Sequence, residues 1–156
     1  MRKLRGTLMT LVAATAAALA VAGSASGAPP LEGTHTATIT SDVIVSARVA
    51  DGNVFTEEVV TATFVGDVTG MSAWTMHGVI HADGSAEYVG TGTSTVTLAG
   101  CGAVTFDFQT QFRASASGVV TGTTRSIGVS LVTYHDSYEG SVLSPIYTDV
   151  KTQYRC

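Results

Sequence analysis

The stretch AVTFDFQTQFRAS, residues 103–115, constrains the fold more than any other part of the chain. Val104, Phe106, Phe108 and Phe112 alternate with Thr105, Asp107, Gln109, Gln111 and Arg113. Period-two alternation places the aromatic residues on one face of a strand and the polar residues on the other. One buried and one hydrated face is the signature of an antiparallel sheet. A helix would scatter the phenylalanines around its circumference.

The rest of the sequence after Pro29-Pro30 follows the same rule. It is rich in Val, Thr, Gly and aromatic residues, which suits a pleated, half-buried surface. Turn signals divide it at Asp51-Gly52-Asn53, Thr69-Gly70, Asp83-Gly84-Ser85, Gly100-Cys101-Gly102, Ser115–Gly118, Ser126–Gly128 and Glu139–Pro145. Asp-Gly between alternating runs is a strong hairpin signal. The divisions predict about eight antiparallel strands and no helix, hence an all-β sandwich or an up-and-down barrel. Eight strands close into a barrel whose interior is filled by side chains or holds one small ligand. Closure also removes exposed strand edges. Gly66, Gly78, Gly90 and Gly92 fall inside strand runs and are expected to serve bulges or bends.

The N-terminus has a different character. Arg2, Lys3 and Arg5 precede an apolar run from Leu8 to Ala22, followed by small residues to Ala28. This is the pattern of a cleaved secretory leader. The run is short for a membrane span, which needs roughly 20 apolar residues. We expect a signal peptide over 1–27, cleaved between Ala25 and Ala28, and a single barrel domain over 28–156. The expected location is extracellular, with no stable membrane anchor. Without the leader, five basic residues face twelve acidic ones, a formal −7. The basic residues are scattered, which argues against a nucleic-acid partner. Cys101 and Cys156 lie 55 residues apart in the exported part, where an even cysteine count favours a disulfide. Free thiols or an intermolecular bridge are the alternatives.

Chemistry is harder to find. His77 and His81, four apart, would make a metal pair on a helix. On a strand they share a face but lie about 13 Å apart, at roughly 3.3 Å per residue. A zinc ion holds its nitrogen ligands at about 2.1 Å, so no metal site and no cofactor are expected. Thr75 and Val79 belong on the histidine face; Trp74, Met76 and Ile80 belong on the other. Glu57 and Glu58 are adjacent and point to opposite faces, which excludes the paired carboxylates of a glycosidase. One should be exposed, the other in a salt bridge or at a pocket rim. No G-x-S-x-G nucleophile elbow occurs. In TYHDSYEG, Tyr134, Asp136 and Tyr138 share one face. They either line a polar pocket mouth or form an ordinary strand end.

Residues 62–108, ATFVGDVTGMSAWTMHGVIHADGSAEYVGTGTSTVTLAGCGAVTFDF, carry a further pattern. Phe64, Gly66, Asp67, Thr69, Gly70, Asp83, Gly84, Ser85, Tyr88 and Gly90 form the series F-x-G-D-x-T-G, then D-G-S, then Y-x-G. This segment resembles a bacterial family of uncharacterised domains grouped with the allene-oxide-cyclase-like, calycin-like barrels. The resemblance implies an eight-stranded antiparallel barrel with an apolar interior. It also implies kinship with enzymes that shape a reactive chain for cyclisation inside a contoured pocket. It supplies no catalytic residue.

Two functions follow as expectations: a barrel that binds a small apolar or amphipathic molecule, or a cyclase-like enzyme. A structural barrel with a filled core is the third alternative. Candidate lumen residues are Trp74, Met76, Tyr88, Phe106, Phe108, Phe112 and Tyr134, and Tyr134, Asp136 or His77 would supply any polar group for catalysis.

Overall fold

The structure is a computed structural model in which residues 29–156 are described. The leader expected over 1–27 and the cleavage window up to Ala28 lie outside the described residues. Eight strands run in chain order around a closed antiparallel barrel. They are β1 (Leu31–Ala50), β2 (Asn53–Gly66), β3 (Val68–Ile80), β4 (Ala86–Leu98), β5 (Gly102–Ala114), β6 (Val119–Ser126), β7 (Thr133–Ser141) and β8 (Ile146–Arg155). No helix occurs among the described residues.

Turn chemistry explains the connections. Asp51 (φ 53°) and Gly52 (φ 76°) form a two-residue link between β1 and β2. Positive φ at both central residues matches the twist of the flanking strands. One expected division moves. Thr69-Gly70 lies inside β3, and the chain turns at Asp67 instead. Asp67 ties that turn down by accepting a hydrogen bond from the Thr34 N–H at 2.9 Å. The bend attributed to Glu139–Pro145 also begins later, because β7 continues to Ser141.

The barrel closes where β1 meets β8, from Leu31↔Tyr154 to Thr38↔Ile146. β1 is 20 residues long, and its pairing with β2 is interrupted by register shifts at Ile39/Ser41 and Ile44/Ser46. Beyond Thr38 its outer side leaves β8, and Val43, Ile44, Val45 and Val49 are exposed.

Alternation holds on β5: Phe106 and Phe108 are buried, with Asp107 outside. Two apolar clusters fill the two ends of the lumen. One contains Val68, Val96, Leu98, Phe106, Phe108, Val132, Tyr134 and Tyr154. The other joins Ala86, Ala114 and Val120 to the flanking Ile80, Tyr88, Phe112, Tyr138 and Tyr147. At the first end Cys101 and Cys156 stand at disulfide distance, with Cα atoms 5.8 Å apart. The Tyr154 hydroxyl donates to the Ala99 carbonyl beside them at 2.8 Å.

The strand glycines play a different part from the bends expected of most of them. Gly78 sits directly across from Tyr88, Gly92 from Trp74, and Gly122 from Tyr138. A β-carbon at any of the three would strike the facing aromatic residue. At Gly78 and Gly122 the missing side chain is the space in which the facing tyrosine ring lies, and at Gly92 it lets the backbone of β3 come close. Gly66 (φ 133°) does turn the backbone, close against His35.

Candidate functional site in the barrel lumen

Between the two apolar ends runs a belt of buried polar side chains, His35, Ser72, Ser94, Thr110, Asp136 and Thr152, while Thr56 and Glu58 are buried beside Tyr88. The interior is therefore not uniformly apolar, contrary to what the resemblance implied. A cavity of about 70 Å³ lies within this zone. Its apolar wall includes Phe64, Trp74, Phe108 and Val150, and its polar wall includes His35, Ser72, Ser94, Thr110, Asp136 and Tyr138. A single water needs roughly 10–15 Å³ of such space. The cavity thus has room for several waters or for a small organic molecule.

One end of the cavity is built by three strands. On β7 the Tyr134 hydroxyl donates to Asp136 Oδ2 at 2.6 Å. From β8, the Thr152 hydroxyl donates to Asp136 Oδ1. From β1, His35 Nδ1 lies 3.2 Å from the Thr152 oxygen, and His35 Nε2 lies 3.9 Å from Asp136 Oδ2. The register that closes the barrel brings these residues together: Asp136 pairs with Thr152 across β7 and β8, while Thr34, beside His35, pairs with Lys151.

Burial dominates the electrostatics here. Loss of water pushes the Asp136 carboxyl up to about 7, against the hydrogen bonds from Thr152 and Tyr134. Burial pulls the His35 imidazole down to about 4, against the attraction of Asp67. It raises the Tyr134 phenol well above the ordinary range, with the neighbouring Asp136 adding to the effect. Each group is thus held toward its neutral form, because a low-dielectric interior penalises charge.

Two buried nitrogens on residues that line the cavity have no hydrogen-bond partner among the described residues: His35 Nε2 and Trp74 Nε1. An unpaired buried polar group costs about 1–3 kcal/mol, so each marks a position where a partner would be stabilising. Elsewhere the belt is satisfied. Ser72 and Ser94 bond to each other, Thr124 donates to Thr110 at 3.1 Å, and Tyr138 Oη lies 3.1 Å from Thr110.

The sequence-derived candidates divide by position. Trp74, Phe108 and Tyr134 line the cavity. Phe106 packs against Tyr134 with ring centres 4.8 Å apart. Met76 is buried, and Tyr88 stacks on Phe112 at 4.5 Å toward the other end. Glu58 is buried beside Tyr88, accepting a hydrogen bond from Thr56 at 2.7 Å. Burial raises its carboxyl, although Thr56 opposes this. His77 is on the exposed outer face of β3, so it offers no polar group to the lumen. His81 sits by a turn, 3.3 Å from Asn53 Oδ1. No group of three His, Cys, Asp or Glu residues suited to a metal ion occurs among the described residues.

Sequence reasoning missed His35 and Thr152. A signal existed for His35. In HTATIT, His35, Ala37 and Ile39 alternate with threonines, which puts the histidine on the inward face. Thr152 has no such mark, since its role depends on residues 16 and 117 positions away.

The fold and site together define a closed eight-stranded barrel with a partly polar internal cavity. No protein-family model matches the chain, and no curated protein matches it. Among solved structures, the crystal structure of an enzyme from Penicillium herquei is similar, with a TM-score of 0.47 and 13% identity. The match covers 82% of this chain and 96% of that one. It is a likeness of outline only.

Proposed function

We propose that this is an exported barrel that binds one small amphipathic molecule in its lumen, between Trp74, Phe108 and the His35–Asp136 end. The observation that carries the reading is a cavity with aromatic walls, two of whose lining residues, His35 and Trp74, each carry a buried nitrogen without a hydrogen-bond partner among the described residues. Small-molecule sites combine a mostly apolar wall with a few placed polar groups. A barrel evolved only to be filled would gain nothing from leaving such nitrogens unpaired. Export rests on the leader pattern before Pro29.

Trp74 is the sole tryptophan, so its emission reports on this cavity alone. Titration with a small amphipathic probe such as cyclohexanol should shift that emission saturably. Ala37 also lines the cavity, and Ala37→Leu should fill it and abolish the response. A wild type that responds no more than the filled variant would sink the binding reading.

A second reading, a cyclase-like enzyme, is favoured by one observation. Asp136 lies beside the cavity with its carboxyl pushed to about 7, the range of an effective general acid or base. The allene-oxide-cyclase-like resemblance of residues 62–108 points the same way. Accelerated exchange of the α-hydrogens of cyclohexanone, lost in Asp136→Asn, would support it. Exchange at the buffer rate would leave a binding protein.

A further inference from the structure

Thr152 has one hydroxyl proton and two neighbours that want it. Asp136 Oδ1 and His35 Nδ1 both lie against the same oxygen. When Asp136 is ionised, Thr152 must donate to it, since a carboxylate only accepts. The Thr152 oxygen then accepts from His35 Nδ1–H, which leaves Nε2 as a bare acceptor. When Asp136 is protonated the chain reverses. Asp136 donates to Thr152, Thr152 donates to His35 Nδ1, and the ring proton resides on Nε2. The two arrangements differ by one proton. It enters at Nε2, the Nδ1 proton passes to Thr152, and the proton of Thr152 passes to Asp136. Tyr134 donates to Oδ2 and completes the carboxyl's partners without entering the chain.

We infer that the lumen selects a small neutral molecule by an acceptor oxygen, a ketone, aldehyde or ester carbonyl, and that Asp136 acting through Thr152 sets whether His35 can donate to it. This rests on the lumen-binding reading above. With Asp136 protonated, His35 Nε2 and Trp74 Nε1, the partnerless buried nitrogens of two residues that line the cavity, are N–H donors. Indole nitrogen can only donate. A carbonyl oxygen satisfies such donors without bringing in a charge that the buried site would have to desolvate. With Asp136 ionised, Nε2 instead presents a lone pair and repels a carbonyl. An alcohol can donate or accept, so it tolerates both states.

The other groups that face this end do not replace Asp136 as the source of the change. They are Tyr134 and Tyr138 on β7, Tyr147 and Tyr154 on β8, and Asp67 in the β2–β3 turn. Burial raises all four phenols, which keeps them protonated in the neutral range. Asp67 is exposed and engaged by the Thr34 N–H.

Two measurements on the mature protein test this. Cyclohexanone and cyclohexanol are titrated against Trp74 emission from pH 5.5 to 8.5. The ketone's affinity relative to the alcohol's should fall about tenfold as one proton is lost. In parallel, ¹⁵N shifts of the His35 ring report its tautomer without any ligand, with His35→Gln providing the assignment. Wild type should change from Nε2–H to Nδ1–H with rising pH. Thr152→Ser should retain the change, and Thr152→Val should lose it while remaining folded by near-ultraviolet circular dichroism. A single tautomer throughout in wild type, with alcohol and ketone both bound, would overturn the relay and leave lumen binding intact. A tautomer change with neither probe bound would overturn the ligand assignment together with the binding reading.

Discussion

His35 and Asp136 are both buried, and their linkage to stability has opposite signs. Asp136 keeps its proton to about 7 in the folded state, whereas an unfolded aspartate releases it near 3.8. Between those values the folded state holds the extra proton, so stability from this group falls as pH rises. His35 stays neutral down to about 4, whereas an unfolded histidine takes a proton below 6.5. In that window the unfolded state holds more protons, so stability from this group rises with pH. The two slopes offset one another between about 4 and 6.5. Asp136→Asn should therefore unmask a rise in urea stability from pH 4 to 6.5, and His35→Gln a decline from pH 4 to 7. A flat profile in both variants would show that neither proton is held as the burial implies. Phe108 is only 3% exposed and packs edge-on against Trp74, with ring centres 6.0 Å apart. Phe108→Ala should cost about 3 kcal/mol, the low end of the range for buried aromatic truncation, because a cavity already flanks it. Denaturant unfolding would measure this, and a loss near 5 kcal/mol would indicate a packed core around the ring.

Along the strands, the facing glycines and aromatic residues form cross-strand units. Gly122→Ala would drive a methyl group into the Tyr138 ring and disturb its contact with Thr110. Gly92→Ala meets the Ala73 carbonyl as well as Trp74. Backbone cannot rotate away as a side chain can, so Gly92→Ala should be the more damaging of the two. Overpacking of this kind costs about 1–3 kcal/mol, and the Gly92 variant should also change Trp74 emission. Equal stability of both variants and wild type would show that the facing strands accommodate the added methyl groups without cost. Element by element, alternation in β5 and the Asp-Gly turns were legible because they are local patterns. The position of Gly70 inside β3 was not. A Thr-Gly pair looks like a turn unless one knows that β4 runs alongside, with the Thr95 carbonyl and Val96 packed against the glycine. Tyr134, Asp136 and Tyr138 were legible as one face. Tyr134 was expected in the lumen, but which residues of β1 and β8 meet Asp136 there became visible only in the structure.

For the molecule as a whole, Cys101 and Cys156 stand at disulfide distance, and a bond between them would tie the end of β8 to the β4–β5 turn, with Tyr154 to Ala99 as a parallel contact. A cross-link over 55 residues restricts the unfolded chain by roughly 4 kcal/mol in the chain-entropy description. Reduction should raise the intact mass by two hydrogens and lower the melting temperature, with the tertiary circular dichroism of the native barrel retained at low temperature. Two alkylatable thiols in unreduced, unfolded protein would contradict the bond. At this scale the sequence indicated closure but not its register, and the candidate site depends on that register. His35, Asp136 and Thr152 meet only when the first and last strands pair.

That pairing also governs time. Every other seam of the barrel joins strands adjacent in sequence and can form as a hairpin, on the order of 1–10 μs. The β1–β8 seam joins Leu31 to Tyr154, across almost all of the described chain. The entropy of bringing such distant segments together must be met before their contacts stabilise anything, which places folding in the millisecond-to-second range of non-local β proteins. Until then the inward side of β1, including His35, faces water rather than its partners. A chain at that stage holds seven seams and an open sheet, and acquires its cavity in the last step.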